Sequence, residues 1–200
     1  MLSVTLLKPY HAFASNTYLL CSGSERAVVD PSVPYSDSYG SIKYILLTHA
    51  HFDHFLDIDS WVNATGAEVI VSEADRPALS DSYRNCYRVF MGRDGGYFGR
   101  ARAVSDGDIL PLGEDTLTVI SAPGHTVGSL IYHSGDAAFV GDLVFAGGGY
   151  GRYDLPGGDI DALSDSIERL LSFDNSLVIF CGHGESTTLG EYRRFYRNII

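Results

Sequence analysis

The chain has 200 residues, 45% of them hydrophobic, with 14 basic against 25 acidic side chains and a net charge of −11. Length and composition fit one soluble globular domain around a single core, and exclude both a disordered chain and a pair of large domains. An acidic chain with no run of Lys or Arg also excludes a generic nucleic-acid binder, so an anionic partner must be met by local positive charge.

At the amino terminus, Met1 to Pro9 is apolar for too short a stretch to form a secretory segment, and no window of the chain approaches 18 apolar residues. Short runs rich in Val, Ile, Leu, Thr and Tyr, punctuated by Gly, Pro or Ser, predict strands at Leu2–Leu7, Asn16–Cys21, Arg26–Asp30 and Lys43–Thr48. A helix is expected at Ser60–Thr65, stopping at Gly66, then a strand at Glu68–Ser72 and a short helix at Glu73–Leu79. A second strand series follows at Ala101–Ser105, Thr116–Ser121, Ser129–His133 and Ala137–Gly141. Asp161–Phe173 is the clearest helix, because Leu163, Ile167, Leu170 and Leu171 share one face at three- and four-residue spacing. Leu177–Cys181 predicts an apolar strand, and Leu189–Ile199 a terminal helix with Leu189, Tyr192, Phe195, Tyr196 and Ile199 turned inward. The pattern is a repeat of shape, strands then helix twice over, and two sheets covered by helices on their outer faces would bury it.

Cys21, Cys86 and Cys181 are odd in number and widely spaced, which fits a reducing cytoplasm better than a disulfide framework. Ser82–Arg102 differs in charge from the rest: five Arg against one Asp give +4, leaving −15 elsewhere, and Tyr83, Tyr87, Phe90, Tyr97 and Phe98 lie among them. Such a segment is either a solvated surface loop or a wall that attracts an anion.

The decisive feature is His49-Ala50-His51-Phe52-Asp53-His54, three of the seven histidines within six positions, directly after an apolar strand. Chance gives this pattern less than about once in a thousand such chains. His49 and His51, two apart in extended chain, can point to one side, while Asp53 and His54 fall past a turn. His125, Asp142 and His183 each stand at the carboxyl end of a predicted strand beside a Gly that lets the backbone turn sharply. Alone, each histidine reads as a hydrogen-bonded loop residue, and Asp142 as a cap. Together with the histidine-rich motif they form a donor set of imidazole and carboxylate, suiting Zn²⁺ before Fe or Mn²⁺.

On these residues the chain resembles the metallo-β-lactamase superfamily, and within it the glyoxalase II-like (hydroxyacylglutathione hydrolase-like) branch. The matching pieces also include Pro123 to Thr126, Gly151-Arg152, Asp154 to Asp159 and Gly182-His183-Gly184. The resemblance implies a four-layer αββα sandwich, an α/β fold, over residues 1–200 as one domain. It further implies two divalent metal ions: His49, His51 and His125 would hold one, Asp53, His54 and His183 the other, with Asp142 bridging. Where family members commonly carry Gly-Gly after the second-metal histidine, Phe55-Leu56-Asp57 follows His54 here, and Asp57 is a candidate to orient a histidine. Glyoxalase II itself carries a further helical domain that grips glutathione, whereas this chain ends 17 residues after His183. No C-terminal substrate domain is expected.

Paired divalent ions lower the pKa of a shared water from about 15.7 towards about 7, so the implied enzyme is a metal-dependent hydrolase using a bridging hydroxide. Asp53 would serve catalytically by orienting it. A small-thiol thioester is the expected substrate, since a departing thiolate needs little help from an acid. A mononuclear iron persulfide dioxygenase using His49, His125 and Asp142 is the alternative, and lactone or phosphoester hydrolysis on the same fold a third reading. Arg152 is a candidate for a substrate carboxylate, and Tyr150 and Tyr153 for the pocket wall. Cys181, His11 and His133 read as structural, and Trp61 as the anchor of the first helix. The partner expected is a small, anionic molecule, with neither nucleic acid nor membrane and with oligomeric state open.

Overall fold

The computed structural model describes residues 1–8 and 11–196. Its first sheet runs in the order β1 (Ser3–Leu7), β2 (Thr17–Ser22), β3 (Glu25–Val29), β4 (Tyr44–Leu46), β5 (Glu68–Ser72) and β6 (Arg102–Val104). The first three strands are antiparallel neighbours, and β3 to β6 run parallel. The second sheet holds β7 (Ile109–Leu112), β8 (Asp115–Ser121), β9 (Leu130–Ser134), β10 (Ala137–Gly141), β11 (Val178–Cys181) and β12 (Thr187–Thr188), in sequential order across the sheet. All its pairs are antiparallel except β10 with β11.

The apolar runs are continuous because the strands are buried on both faces. In β2 and β3, Leu19 and Val28 pack outward while Leu20, Ala27 and Val29 pack between the sheets. In β8 to β10, Val119, Tyr132 and Phe139 join that central layer, and Ile120, Ile131 and Ala138 face the other way. Helix α1 (Ile58–Thr65) covers the outer face of the first sheet through Ile58 and Trp61. Trp61 is fully buried, donates from Nε1 to the Val33 carbonyl at 2.7 Å and stacks on Tyr39. Helices α3 (Ile160–Leu170) and α4 (Leu189–Tyr196) cover the second sheet with Leu163, Ile167, Leu170, Leu189 and Tyr192. The result is the four-layer αββα sandwich.

Several expectations need correction. Glu73–Leu79 is no α-helix: a 3-10 turn spans Arg76–Ser80, with Pro77 at its start and Asp75 turned inward. Strand β7 was missed because Pro111 interrupts it, yet β7 lies at a sheet edge, where a missing N–H is tolerated. The charged segment contains a short helix, α2 (Tyr87–Met91), and β12 is only two residues long. The α3 turns begin at Ile160 because the Asp159 carboxylate accepts from the N–H groups of Asp161 and Ala162. In α4, Phe195 is 51% exposed, contrary to the inward face expected for it, and residues 197–199 lie outside the described residues.

Candidate metal centre

In an open sheet, ligands are met beyond the carboxyl ends of parallel strands. Here β3, β4 and β5 lead into Asp30, His49 and Asp75, while β8, β10 and β11 lead into His125, Asp142 and His183. Both sets of strand ends open on one rim. Asp53 and His54 reach the same place from the 3-10 turn Phe52–His54.

Two glycines let these loops close. Gly141 has φ +53°, and a Cβ on it would strike the Thr48 side chain beside His49. A Cβ on Gly182 would strike the Asp142 carboxylate.

All seven residues expected at the site converge. The donor atoms of His49, His51 and His125 lie within 4.8 Å of one another, as do those of Asp53, His54 and His183, and those of His49, His54 and Asp142. The Asp142 carboxylate reaches both histidine groups, with contacts of 3.7 Å to His125 Nε2, 3.3 Å to His54 Nε2 and 3.7 Å to His183 Nε2. Asp53 Oδ2 lies 3.2 Å from His183 Nε2.

The surrounding hydrogen bonds fix which ring nitrogens face inward. His54 Nδ1 donates to Asp30 Oδ2 at 2.8 Å, and His125 Nδ1 to the Arg152 carbonyl at 2.7 Å. Thr48 donates its hydroxyl to Asp30 at 2.7 Å, so its lone pairs are free to accept from His49 Nδ1 at 3.2 Å. Each of these rings therefore presents an Nε2 lone pair to the centre. Among the described residues, His49 Nε2, His51 Nε2, His54 Nε2 and Asp142 Oδ1 are buried with no hydrogen-bond partner. His51 Nδ1 also faces His125 Nε2 at 2.9 Å. Several buried acceptors aimed at one another require a shared proton or a cation between them, and the donor set fits a divalent metal.

Without an ion, burial and the neighbouring histidines push His49 well below the ordinary imidazole range, and burial above all takes His51 down to about 3. For His54, burial acts downward but Asp30, Asp142 and Asp53 outweigh it and raise the ring well above its usual value. Burial acts upward on Asp53 and Asp142, yet the facing histidines hold both carboxylates low.

Asp30 and Asp75 were not singled out from the sequence. Asp30 receives the Thr48 N–H at 2.8 Å as well as the two donors above, and it carries His54. Asp75 is 2% exposed and accepts from Ala50 N–H, the Thr126 hydroxyl and Gly128 N–H at 2.7–3.0 Å, so one carboxylate ties the His51 loop to the His125 loop. Asn16, just before β2, and Tyr18, within it, bond the Cys181 carbonyl at 3.0 and 2.7 Å and hold the strand end that leads to His183.

A cleft of about 120 Å³ opens beside the cluster, lined by His51, Asp53, His125, Asp142, Arg152, Phe13, Phe52, Cys86, Phe90 and Leu155. Arg152 thus stands at the site, but Asp154 holds its guanidinium through two bonds of 2.7 and 2.8 Å. Tyr150 and Tyr153, 39% and 43% exposed, are not among the cleft-lining residues. In Ser82–Arg102, Arg88 pairs with Asp94 and Arg102 with Glu68, and the segment's residues that line the cleft are Cys86 and Phe90. Cys181 is fully buried with a thiol that burial pushes up to about 12. His133, on β9, sets its ring at a tilt 5.2 Å from Phe173 and takes no part in the donor cluster.

Comparison with known proteins agrees with this architecture. Hydroxyacylglutathione hydrolase GloC of Haemophilus influenzae (strain ATCC 51907 / DSM 11121 / KW20 / Rd) is 30% identical over 198 residues, covering 93% of each chain. Probable metallo-hydrolase YqgX of Bacillus subtilis (strain 168) is 31% identical, with 90% of this chain and 89% of that protein covered. The crystal structure of the BLEG-1 B3 metallo-beta-lactamase superposes with a TM-score of 0.84 at 28% identity, over 97% of each chain. That of TTHA1623 in a di-iron-bound form gives 0.80 at 30% identity, over 96% of this chain and 98% of the other. The profile of the Metallo-beta-lactamase superfamily matches residues 11–183, which include every residue of the cluster. With that match, and with the sandwich and its rim of histidines and carboxylates, the chain belongs to the metallo-β-lactamase superfamily of metallo-hydrolases.

Proposed function

We propose that the chain is a binuclear metal thioesterase that hydrolyses an S-acyl derivative of a small thiol, in the manner of the glyoxalase II-like branch. The observation that carries this reading is the seven-donor rim, two facing groups joined by Asp142, with buried lone pairs turned inward. The similarity to a relative named hydroxyacylglutathione hydrolase supports it. His49, His51 and His125 would hold one ion, Asp53, His54 and His183 the other, and Asp142 both; zinc suits these donors first, and iron is the metal of one similar structure. Bound there, such ions supply Lewis acidity and a nucleophilic water at neutral pH.

The chain's own residues do the rest. Asp53, kept ionised by His54 and His183, orients the attacking water and can take its proton. Asp30, Thr48 and the Arg152 carbonyl keep the imidazoles in the tautomer that leaves Nε2 free. In the reaction the water oxygen forms a bond to the acyl carbon and the C–S bond breaks. The thiolate departs with the electron pair, and the second water proton ends on sulfur or in solvent. Because a thiol has a pKa of about 8.5, its departure needs no strong acid at the sulfur.

An iron dioxygenase would draw on His49, His125 and Asp142 and would give His51, Asp53, His54 and His183 no place as ligands; the convergence of all seven supports hydrolysis. The test is release of free thiol from S-acyl glutathiones, S-lactoylglutathione included, by metal-loaded protein, alongside oxygen uptake with glutathione persulfide. Thiol release without oxygen uptake is expected. Oxygen uptake with one iron per chain and no thiol release would overturn the reading.

A further inference from the structure

The residues around the cleft divide sharply by chemistry. At its floor lie His51, Asp53, His125 and Asp142. Its walls are Phe13, Phe52, Phe90 and Leu155, with Cys86, whose thiol burial pushes up to about 11 and so keeps neutral. No hydroxyl or amide side chain is among the lining residues, and the single cation, Arg152, is already engaged by Asp154. The aromatic rings form a continuous row, with Phe52 6.4 Å from Phe13, 6.0 Å from Phe90 and 5.3 Å from Tyr87. Phe13 and Phe90 remain 45% and 43% exposed, so the row turns apolar surface toward the mouth.

From this lining we infer that the cleft is an acyl pocket selective for an apolar acyl group, branched aliphatic or aromatic, over a hydroxyacyl group such as lactoyl. The inference rests on the thioester reading and specifies its substrate. A hydroxyl entering this wall would lose its water and find no hydroxyl or amide to pair with, while each methylene placed there gains about fourfold in affinity. The size agrees: an apolar cavity of about 150 Å³ is known to hold benzene, and this cleft is about 120 Å³ and open at its mouth. An isovaleryl group, with two carbons more than lactoyl and no hydroxyl, gains more than tenfold on that scale.

The experiment measures kcat/KM for S-isovaleryl- and S-lactoylglutathione on the metal-loaded protein and takes their ratio, in which any loss of correctly folded protein cancels. A ratio of at least about ten is expected, falling at least fivefold in Phe90→Ser and in Phe13→Ser. A ratio below ten, or one unchanged in both variants, overturns the inference while leaving the thioesterase standing. If neither thioester is cleaved, the thioesterase reading fails, and the pocket is judged by NMR titration of the metal-free protein with isovaleramide and lactamide. Isovaleramide binding at least tenfold tighter, lost in Phe90→Ser, would keep the apolar pocket; equal binding would remove it.

Discussion

Replacing Asp30 by Asn changes one oxygen for an NH₂ group and almost nothing in volume, and so isolates what the carboxylate does. Oδ1 accepts from the Thr48 N–H, and an amide oxygen can continue to do so. Oδ2 accepts from both the Thr48 hydroxyl and His54 Nδ1, and an NH₂ there would face two donors at 2.7 and 2.8 Å. Asp30 is 2% exposed and His54 fully buried, so water cannot substitute. Two buried donors left unmatched cost about 1–3 kcal/mol each, or about 2–6 kcal/mol together, against a total stability of about 5–15 kcal/mol. With a urea slope of about 3 kcal/mol/M for a chain of this size, the midpoint of the metal-free protein should fall by about 1–2 M. His54 can escape the clash by moving its proton to Nε2, the atom that faces Asp142, so metal affinity should also fall by about 10–100-fold. Urea denaturation followed by tryptophan fluorescence of Trp61 reads the first effect, and competition against a chromogenic chelator the second. A midpoint within about 0.3 M of the parent, together with unchanged metal affinity, would refute the tautomer argument.

Asp142→Ala, which removes the carboxylate that reaches both histidine groups, should lower metal content per chain and abolish nearly all turnover, whereas His133→Ala should leave both intact; elemental analysis of purified protein decides. In the metal-free protein His49 and His51 have folded pKa values below their unfolded ones. The stability they contribute is complete above about pH 6.5 and should decline by about 1.4 kcal/mol per unit, per titrating ring, as pH falls; for His51 the decline runs down to about pH 3. His54 has the opposite sign, so its contribution is complete below about pH 6.5 and is lost as pH rises through its elevated folded value. Urea midpoints of chelator-treated protein should therefore peak near about pH 6.5, and a midpoint rising steadily on acidification would contradict this. Of the three thiols, partly exposed Cys21 should react with a thiol reagent promptly, and buried Cys86 and Cys181 only on unfolding; three fast equivalents would disprove the burial described.

Much of this was legible because apolar strands and their polar terminal residues leave marks one residue at a time. The six-residue histidine motif marked one loop, and His125, Asp142 and His183 were found by the rule that each ends a strand. Asp30 obeys that rule too, closing the strand predicted at Arg26–Asp30, and was missed because Val29 and Pro31, not a glycine, stand beside it. Asp75 gave no signal, since its inward turn depends on three donors from distant loops. The charge of Ser82–Arg102 left two readings open, and it does not mark what the segment brings to the cleft: Arg88 pairs with Asp94 inside the segment and Arg102 with Glu68 outside it. What remains to face the cleft is Phe90 and Cys86, a result that composition could not give.

The donors of the rim come from both halves of the repeat, from position 49 to position 183. Any cation seated among them would act as a tether across the whole chain, fastening the end of one sheet to the end of the other without a covalent bond. Its grip would follow mass action: a free-ion level a hundred times the dissociation constant adds about 2.7 kcal/mol to the folded state. Resistance to heat and proteolysis would then rise and fall with the supply of the ion, so that scarcity would be felt in the lifetime of the protein as well as in its turnover.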